Sequence, residues 1–153
     1  MTPRRMSSST RESILSIRTF EVNARMKLSN ADAAGIILVI EDDVHIGGLV
    51  GQVLTEAGYK AEIVRDVGAA RARAAQGLRP AAMLSDLMIA GSSGPEHLRH
   101  EIETIFPGVP LTLMTGVPPK RRALLGVDDD RILEKPFELE ALLAAVRAML
   151  AGA

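Results

Sequence analysis

The sequence predicts an α/β fold in which a five-stranded parallel sheet is flanked by five helices. Two observations lead to this prediction. From residue 35 onward, short apolar runs alternate with amphipathic stretches at helical spacing, and the central runs are apolar at consecutive positions. Strands that are apolar on both faces are buried between helical layers, and right-handed crossovers join them. No internal repeat interrupts the alternation.

The first half of this pattern contains three strands and two helices. The run "GIILVI" opens it, apolar residues then recur at helical spacing, and Gly58 provides a stop signal. An alanine-rich stretch ends at Gly77, and Pro80 precedes the next apolar run. The predicted strands are 35–40, 60–66 and 81–86, and the predicted helices are 44–58 and 67–77.

The second half continues the same alternation to the end of the chain. Pro95 suits the first turn of a helix. Pro118 and Pro119 oppose an earlier start of the fourth helix, which is therefore short. The predicted helices are 95–106, 120–126 and 138–152, and the predicted strands are 109–116 and 131–135.

Composition bounds the class of protein. A chain of 153 residues with 47% hydrophobic and 24% charged residues is long enough for one globular domain. The absence of cysteine excludes disulfides and thiolate metal sites. The net charge of -1 gives no overall bias toward nucleic acid, and no apolar run reaches the roughly 18 residues of a membrane span. We therefore expect a cytoplasmic protein without a membrane segment.

The first 34 residues have a different character. They contain six basic and three acidic side chains and no core pattern, so we predict an N-terminal extension at 1–34, disordered or partly helical, followed by one domain at 35–153. Residues 13–28 form a weak helical pattern, and Ser9 and Glu12 have the spacing of a capping box. The acids argue against an organellar transit peptide. Met26 as the true start is a further hypothesis.

Chemically active residues follow the strands of the predicted sheet. The carboxyl ends of parallel strands lie along one edge, where open α/β sheets bind ligands. Adjacent carboxylates need a compensating cation, and Mg²⁺ prefers such oxygen ligands. A nearby aspartate is either a ligand or a nucleophile toward phosphorus, whereas a hydroxyl and an ammonium suit a transferred phosphoryl group. The residues at the carboxyl ends of strands one, three, four and five are Glu41, Asp42 and Asp43; Asp86; Thr115 and Gly116; and Lys135. Together they predict a phosphoryl-transfer site.

The chain resembles the receiver domain of two-component response regulators over about residues 35–152. The motifs "ILVIEDD", "LSDLMIAGSSG", "LMTG" and "EKPF" carry this resemblance in the family's order and spacing. It implies a flavodoxin-like, doubly wound (βα)5 fold. It also implies that the phosphoryl group comes from a phosphohistidine on a sensor histidine kinase or a histidine phosphotransfer protein.

The resemblance also assigns the site residues. It implies that Asp86 is the phosphoacceptor, that Thr115 is the hydroxyl that follows the phosphoryl group, and that Lys135 is the cation. Mg²⁺ is implied to bind Asp42, Asp86 and the backbone carbonyl of Met88, with Glu41 acting largely through water.

The choice of Glu41 and Asp42 as the acidic pair, rather than Asp42 and Asp43, depends on register. Ile46 fills the family's first buried isoleucine-type position of helix one, five and four residues after the pair. Asp43 is then predicted to cap the helix, with its carboxylate accepting from the N–H groups of residues 45 and 46.

The sequence departs from the family pattern at positions that affect how phosphorylation is passed on to a partner. Ala90 stands where the family usually has proline, although Gly94 occupies the expected loop glycine. Ile132 replaces the tyrosine or phenylalanine whose rotation reports phosphorylation, and the fourth helix is short. Phosphorylation is therefore better supported than the usual readout through helix four, strand five and helix five.

Two other function classes stay open. Haloacid-dehalogenase-type phosphatases need a second aspartate two residues after the nucleophile, where this chain has Met88. An interaction module that is never phosphorylated is opposed by the complete set of site residues. We expect no enzyme with turnover and no effector domain after Ala153. This predicts a stand-alone receiver, a monomer or weak homodimer, that does not bind DNA and that contacts an unknown target protein or drains phosphoryl groups from a relay.

Four remaining features have structural explanations. His45, His97 and His100 form no metal-ligand grouping, and residues 128–130 are predicted to be a solvated loop. The basic run 120–122 is either a solvated helix start or a docking patch. Three glycines at 47, 48 and 51 either permit close packing of helix one or leave it pliable.

Overall fold

The structure, a computed structural model, describes residues 35–127 and 131–152. The predicted extension at 1–34 and the predicted loop at 128–130 lie outside these described residues.

Within the described residues, five strands alternate with five helices, which confirms the predicted order of elements. The strands are β1 (Ile36–Ile40), β2 (Lys60–Val64), β3 (Ala82–Asp86), β4 (Leu111–Thr115) and β5 (Ile132–Glu134). The helices are α1 (Val44–Glu56), α2 (Val67–Ala75), α3 (Pro95–Ile105), α4 (Pro119–Leu124) and α5 (Leu139–Ala151). None of these helices combines the length and apolar character that a bilayer crossing requires.

All five strands belong to one parallel sheet of order β2-β1-β3-β4-β5. This is the order of the flavodoxin-like, doubly wound fold that the resemblance implied. The order reverses between β1 and β3, which pair directly through registers such as Ile40 with Ser85. The carboxyl ends of β1 and β3 therefore meet at the switch point, where such sheets bind ligands.

The core has two layers, one on each face of the sheet. Along β1, alternate residues enter opposite layers: Leu38 and Ile40 pack with α2 and α3, whereas Ile37 and Val39 pack with α1 and α5. All four side chains are completely buried. This explains why the central strands are apolar at consecutive positions, because neither face reaches water.

Each of the ten elements differs from its predicted bounds by one or two residues at one end or both, and three of these differences have a local cause. Helix α1 ends at Glu56, and Gly58 follows with a positive φ of 95°. Strand β4 begins at Leu111, one residue after Pro110, which has no N–H to donate to a ladder. Helix α4 begins on Pro119, because a proline at the first position loses no helical hydrogen bond.

The glycines of α1 have separate roles. A Cβ on Gly51 would lie 2.7 Å from Cδ1 of Ile63 in β2, and a Cβ on Gly47 would lie 3.3 Å from Cγ2 of the same side chain. Apart from the adjacent residues and the nearby backbone of α1, no atom of the described residues lies within 4 Å of the corresponding position on Gly48. Close packing against β2 therefore explains Gly47 and Gly51, but nothing in the structure explains Gly48.

Candidate functional site

The predicted site residues meet at the carboxyl edge of the sheet. Glu41, Asp42 and Asp86 each present one carboxylate oxygen, and these three oxygens lie within 4.8 Å of one another. Lys135 reaches into this acidic group, with its Nζ 3.2 Å from Oε2 of Glu41 and 3.5 Å from Oδ2 of Asp86. The parallel sheet thus brings together side chains that lie 94 positions apart in the chain.

Asp86 ends β3 and lies between two donors. Its Oδ1 accepts from the Met88 N–H at 3.3 Å, while its Oδ2 faces Lys135. The side chain of Asp86 is 16% exposed, so its carboxylate is reachable from solvent. The carbonyl of Met88, which the resemblance makes a metal ligand, remains a prediction.

Glu41 is the buried member of the acidic group. Its Oε1 accepts from the Asp43 N–H at 3.2 Å and its Oε2 contacts Lys135, and the residue is only 2% exposed. Burial, followed by the negative charge of Asp86, raises the pKa of Glu41, although Lys135 opposes the shift. Burial therefore disfavours the charged form of this carboxylate, and Lys135 offsets part of that cost.

Thr115 is buried at the end of β4. Its Oγ1 accepts from the Val117 N–H at 3.0 Å. The carbonyl oxygen of Thr115 accepts from the Lys135 N–H at 2.7 Å, which ties the end of β5 to the end of β4. The peptide bond between Lys135 and Pro136 is cis.

Asp43 has the structural role that the register predicted. Its Oδ1 accepts from the N–H groups of His45 at 2.9 Å and Ile46 at 3.0 Å, at the start of α1. These bonds, the one from Ile46 first, lower the pKa of Asp43. The predicted helix cap is confirmed, and Asp43 is not a member of the acidic group.

An open cleft of ≈ 410 Å³, here called the strand-end cleft, gives access to this edge. Sequence reasoning identified Asp86, Met88, Thr115, Gly116 and Lys135 among its lining residues. It did not assign four others to the site, which come from the loop after β4, from α4 and from the residue that follows α4: Val117, Pro118, Arg121 and Leu125. For Val117 and Pro118, the available signal was their position just after a strand end.

The family model for the response regulator receiver domain matches residues 37–147. The chain belongs to this family. The match covers every site residue named above, from Glu41 to Lys135.

Curated relatives of this receiver domain are longer proteins. Over 119 residues it is 34% identical to the DNA-binding dual master transcriptional regulator RpaA of Synechocystis sp., covering 74% of this chain and 48% of that protein. Over 121 residues it is 34% identical to the C4-dicarboxylate transport transcriptional regulatory protein DctD of Pseudomonas aeruginosa, covering 78% of this chain and 26% of that protein. The chain thus spans about half the length, or less, of these relatives.

Solved receiver structures share the fold. A response regulator receiver protein from Sinorhizobium medicae superposes with a TM-score of 0.64 at 25% identity, covering 76% of this chain and 94% of that one. The chemotaxis response regulator CheY4 of Vibrio cholerae gives a TM-score of 0.60 at 25% identity, covering 75% and 98% of the two chains.

Two features distinguish this receiver domain near β5. Ile132 packs against the core cluster on the α2 and α3 face. Helix α4 is six residues long and has no buried residue. The departure from the usual readout itself remains a prediction.

Proposed function

We propose that this receiver domain is a phosphoacceptor that takes a phosphoryl group from a phosphohistidine onto Asp86 in the presence of Mg²⁺. The observation that carries the proposal is the contact of Lys135 with Asp86, inside an acidic group and beside a buried threonine hydroxyl. Nucleophile, cation and hydroxyl donor are the groups that phosphoryl transfer requires.

The acidic group fits Mg²⁺. Its donors are carboxylate oxygens, which this hard cation prefers, and its three carboxylates lie close together beside the ammonium of Lys135. We propose that Asp42, Asp86 and the Met88 carbonyl hold the ion and that Glu41 acts largely through water. When bound, Mg²⁺ neutralises charge on the phosphoryl oxygens.

The chain's own residues have distinct tasks in the transfer. A carboxylate oxygen of Asp86 bonds to phosphorus while the bond from phosphorus to the histidine nitrogen breaks, and that nitrogen keeps the electron pair. Lys135 balances the negative charge that arrives with the phosphoryl group. Among the described residues, the bond from Val117 is the only hydrogen bond of the Thr115 hydroxyl, so its hydrogen is free to donate to a phosphoryl oxygen.

The donor and the output belong to the same proposal. The donor is a sensor histidine kinase or a histidine phosphotransfer protein. The output is a protein–protein contact, or the removal of phosphoryl groups from a relay, in the cytoplasm. Relatives such as RpaA are DNA-binding regulators, whereas we propose that residues 35–152 act without contacting DNA.

Incubation with acetyl phosphate and Mg²⁺, followed by intact mass measurement, tests the proposal. The wild type should gain one phosphoryl group and Asp86→Asn should gain none. Absence of the gain in wild type would favour an interaction module that is never phosphorylated. Sustained hydrolysis of a generic phosphate monoester would contradict the proposal in favour of a phosphatase.

A further inference from the structure

The basic run at the start of α4 divides into residues with different surroundings. Arg122 donates to the Val117 carbonyl at 2.7 Å and pairs with Glu134 at 3.0 Å, and its side chain is only 12% exposed. Arg121 is exposed and lines the strand-end cleft. Lys120 is exposed and does not line that cleft. Sequence reasoning treated these three residues as one patch, but the structure separates them.

The contacts of Arg122 orient the helix face that carries Arg121. Successive residues of a helix leave the backbone about 100° apart, so a fixed rotation of the helix sets the side on which each Cβ lies. The two contacts of Arg122, to Val117 and Glu134, hold α4 in one rotation about its axis. This rotation places Arg121 on the wall of the cleft that also contains Asp86 and Thr115.

Arg121 is also the cation of this cleft that has hydrogen-bond donors to spare. Lys135 is already engaged, since its ammonium contacts both Glu41 and Asp86. The guanidinium of Arg121 has no hydrogen bond or ion pair in the part of the chain that the structure describes. A planar guanidinium with free donors is well suited to bind two oxygens of a phosphate group at once.

We propose that Arg121 binds the incoming anionic phosphodonor, contacting its phosphoryl oxygens across the cleft from Asp86. This inference rests on the proposed function. The three carboxylates of the acidic group repel an approaching anion, and Arg121 offsets that repulsion at the cleft wall. The cleft volume of ≈ 410 Å³ is within the range of about 300–1,000 Å³ that small-molecule sites occupy.

The chemical step with a small donor is balanced without a further reactant. With acetyl phosphate, an oxygen of Asp86 bonds to phosphorus, and the bond from phosphorus to the bridging oxygen breaks. Acetate leaves with that electron pair. Arg121 stays protonated and contributes hydrogen bonds and charge only, so its removal weakens donor binding without removing the nucleophile.

The test is a time course of phosphorylation, followed by intact mass, at several acetyl phosphate concentrations below saturation. Arg121→Ala and Arg121→Gln should lower the initial rate about threefold to tenfold, the range of the net contribution of an ordinary hydrogen bond. Arg121→Lys should recover part of the loss because it restores the charge. Lys120→Ala removes a neighbouring positive charge outside the cleft and should change the rate by less than about twofold.

A second donor separates specific binding from general attraction. Phosphoramidate carries less negative charge at neutral pH than acetyl phosphate, so Arg121→Ala should cost less with this donor. Equal rates for wild type and Arg121→Ala would overturn the inference, as would equal losses in Arg121→Ala and Lys120→Ala. If the wild type is not phosphorylated by either donor, the proposed function fails and this inference fails with it.

Discussion

Arg122 of α4 and Glu134 of β5 form an ion pair, with 3.0 Å between Nη2 and Oε1, that connects two elements on the α4 side of the strand-end cleft. Arg122 also donates to the Val117 carbonyl, and the Val117 N–H donates to the Thr115 hydroxyl. A continuous chain of hydrogen bonds therefore connects β5 to the buried hydroxyl at the end of β4. Glu134, at one end of this chain, lies two positions after Ile132 in the sequence.

Removing Arg122 should destabilise the fold more than removing its acidic partner. Arg122→Ala leaves the Val117 carbonyl without its donor and should cost about 1–2 kcal/mol of unfolding free energy. Glu134→Ala should cost only a few tenths of a kcal/mol, because Glu134 is 58% exposed and exposed ion pairs contribute little. Urea unfolding of both variants measures this order. Arg121→Ala is the matched control and should leave stability unchanged.

Neutralising Glu41 should stabilise the metal-free protein at neutral pH. The pKa of Glu41 is raised above its ordinary value of 4.5, so the folded state keeps this proton to a higher pH than the unfolded state does. The contribution of Glu41 to stability therefore falls as pH rises through that window and stays low above it. Glu41→Gln should unfold at higher urea than wild type at pH 7 in EDTA. The gain should shrink below the ordinary carboxyl pKa.

Mg²⁺ should reduce the stability advantage that Glu41→Gln has over wild type in EDTA. A ligand that binds only the folded state raises its stability, and Glu41 is one of the acids grouped around the proposed site. Adding Mg²⁺ at pH 7 should stabilise the wild type more than Glu41→Gln. Equal gains in both proteins would show that Glu41 does not contribute to the ion's binding.

Substitution of Asp42 should impair phosphorylation and Mg²⁺ binding, whereas substitution of Asp43 should not. Asp42→Asn should severely reduce both phosphorylation and the Mg²⁺-induced rise in melting temperature, because it removes a charge from the acidic group. Asp43→Asn should reduce neither, since asparagine also caps helices well. Phosphorylation and melting curves with and without Mg²⁺ distinguish the two. The reverse ranking would mean that Asp42 and Asp43 form the acidic pair.

Asp43→Ala removes the helix cap, and its effect on the free energy of unfolding should depend on pH. The N–H groups at the start of α1 hold the pKa of Asp43 below its ordinary value. The stability that this gives is present above the ordinary pKa and is lost as pH falls through the lowered one. Asp43→Ala should therefore be less stable than wild type at pH 7, and the gap between these two proteins should narrow in acid. Persistence of the gap in acid would contradict this.

The glycines of α1 offer a matched pair for stability. Gly48→Ala should raise the unfolding free energy by about 1 kcal/mol, because alanine favours helix and open space surrounds the new methyl group. Gly51→Ala should gain less, since its methyl group would lie 2.7 Å from Cδ1 of Ile63 and force that side chain to turn. Urea unfolding of both variants checks this order, and a larger gain for Gly51→Ala would contradict it.

Local features of this receiver domain were predictable from sequence because their causes lie within a few residues. The cap at Asp43 depends on N–H groups two and three positions ahead. The start of α4 depends on Pro118 and Pro119, although the structure includes Pro119 in the helix. Both features follow from backbone geometry that neighbouring residues impose.

The sequence by itself determined the alternation of elements and therefore the parallel sheet, because consecutive apolar positions require burial on both faces. It also indicated which residues end the strands, and a parallel sheet brings strand ends to one edge. Only the tertiary structure decided that Arg121 lines the cleft while Arg122 pairs with Glu134, and which carboxylate of the acidic group is buried. The direction of a side chain on a six-residue helix, and the burial of Glu41 beside Lys135, depend on partners far along the chain.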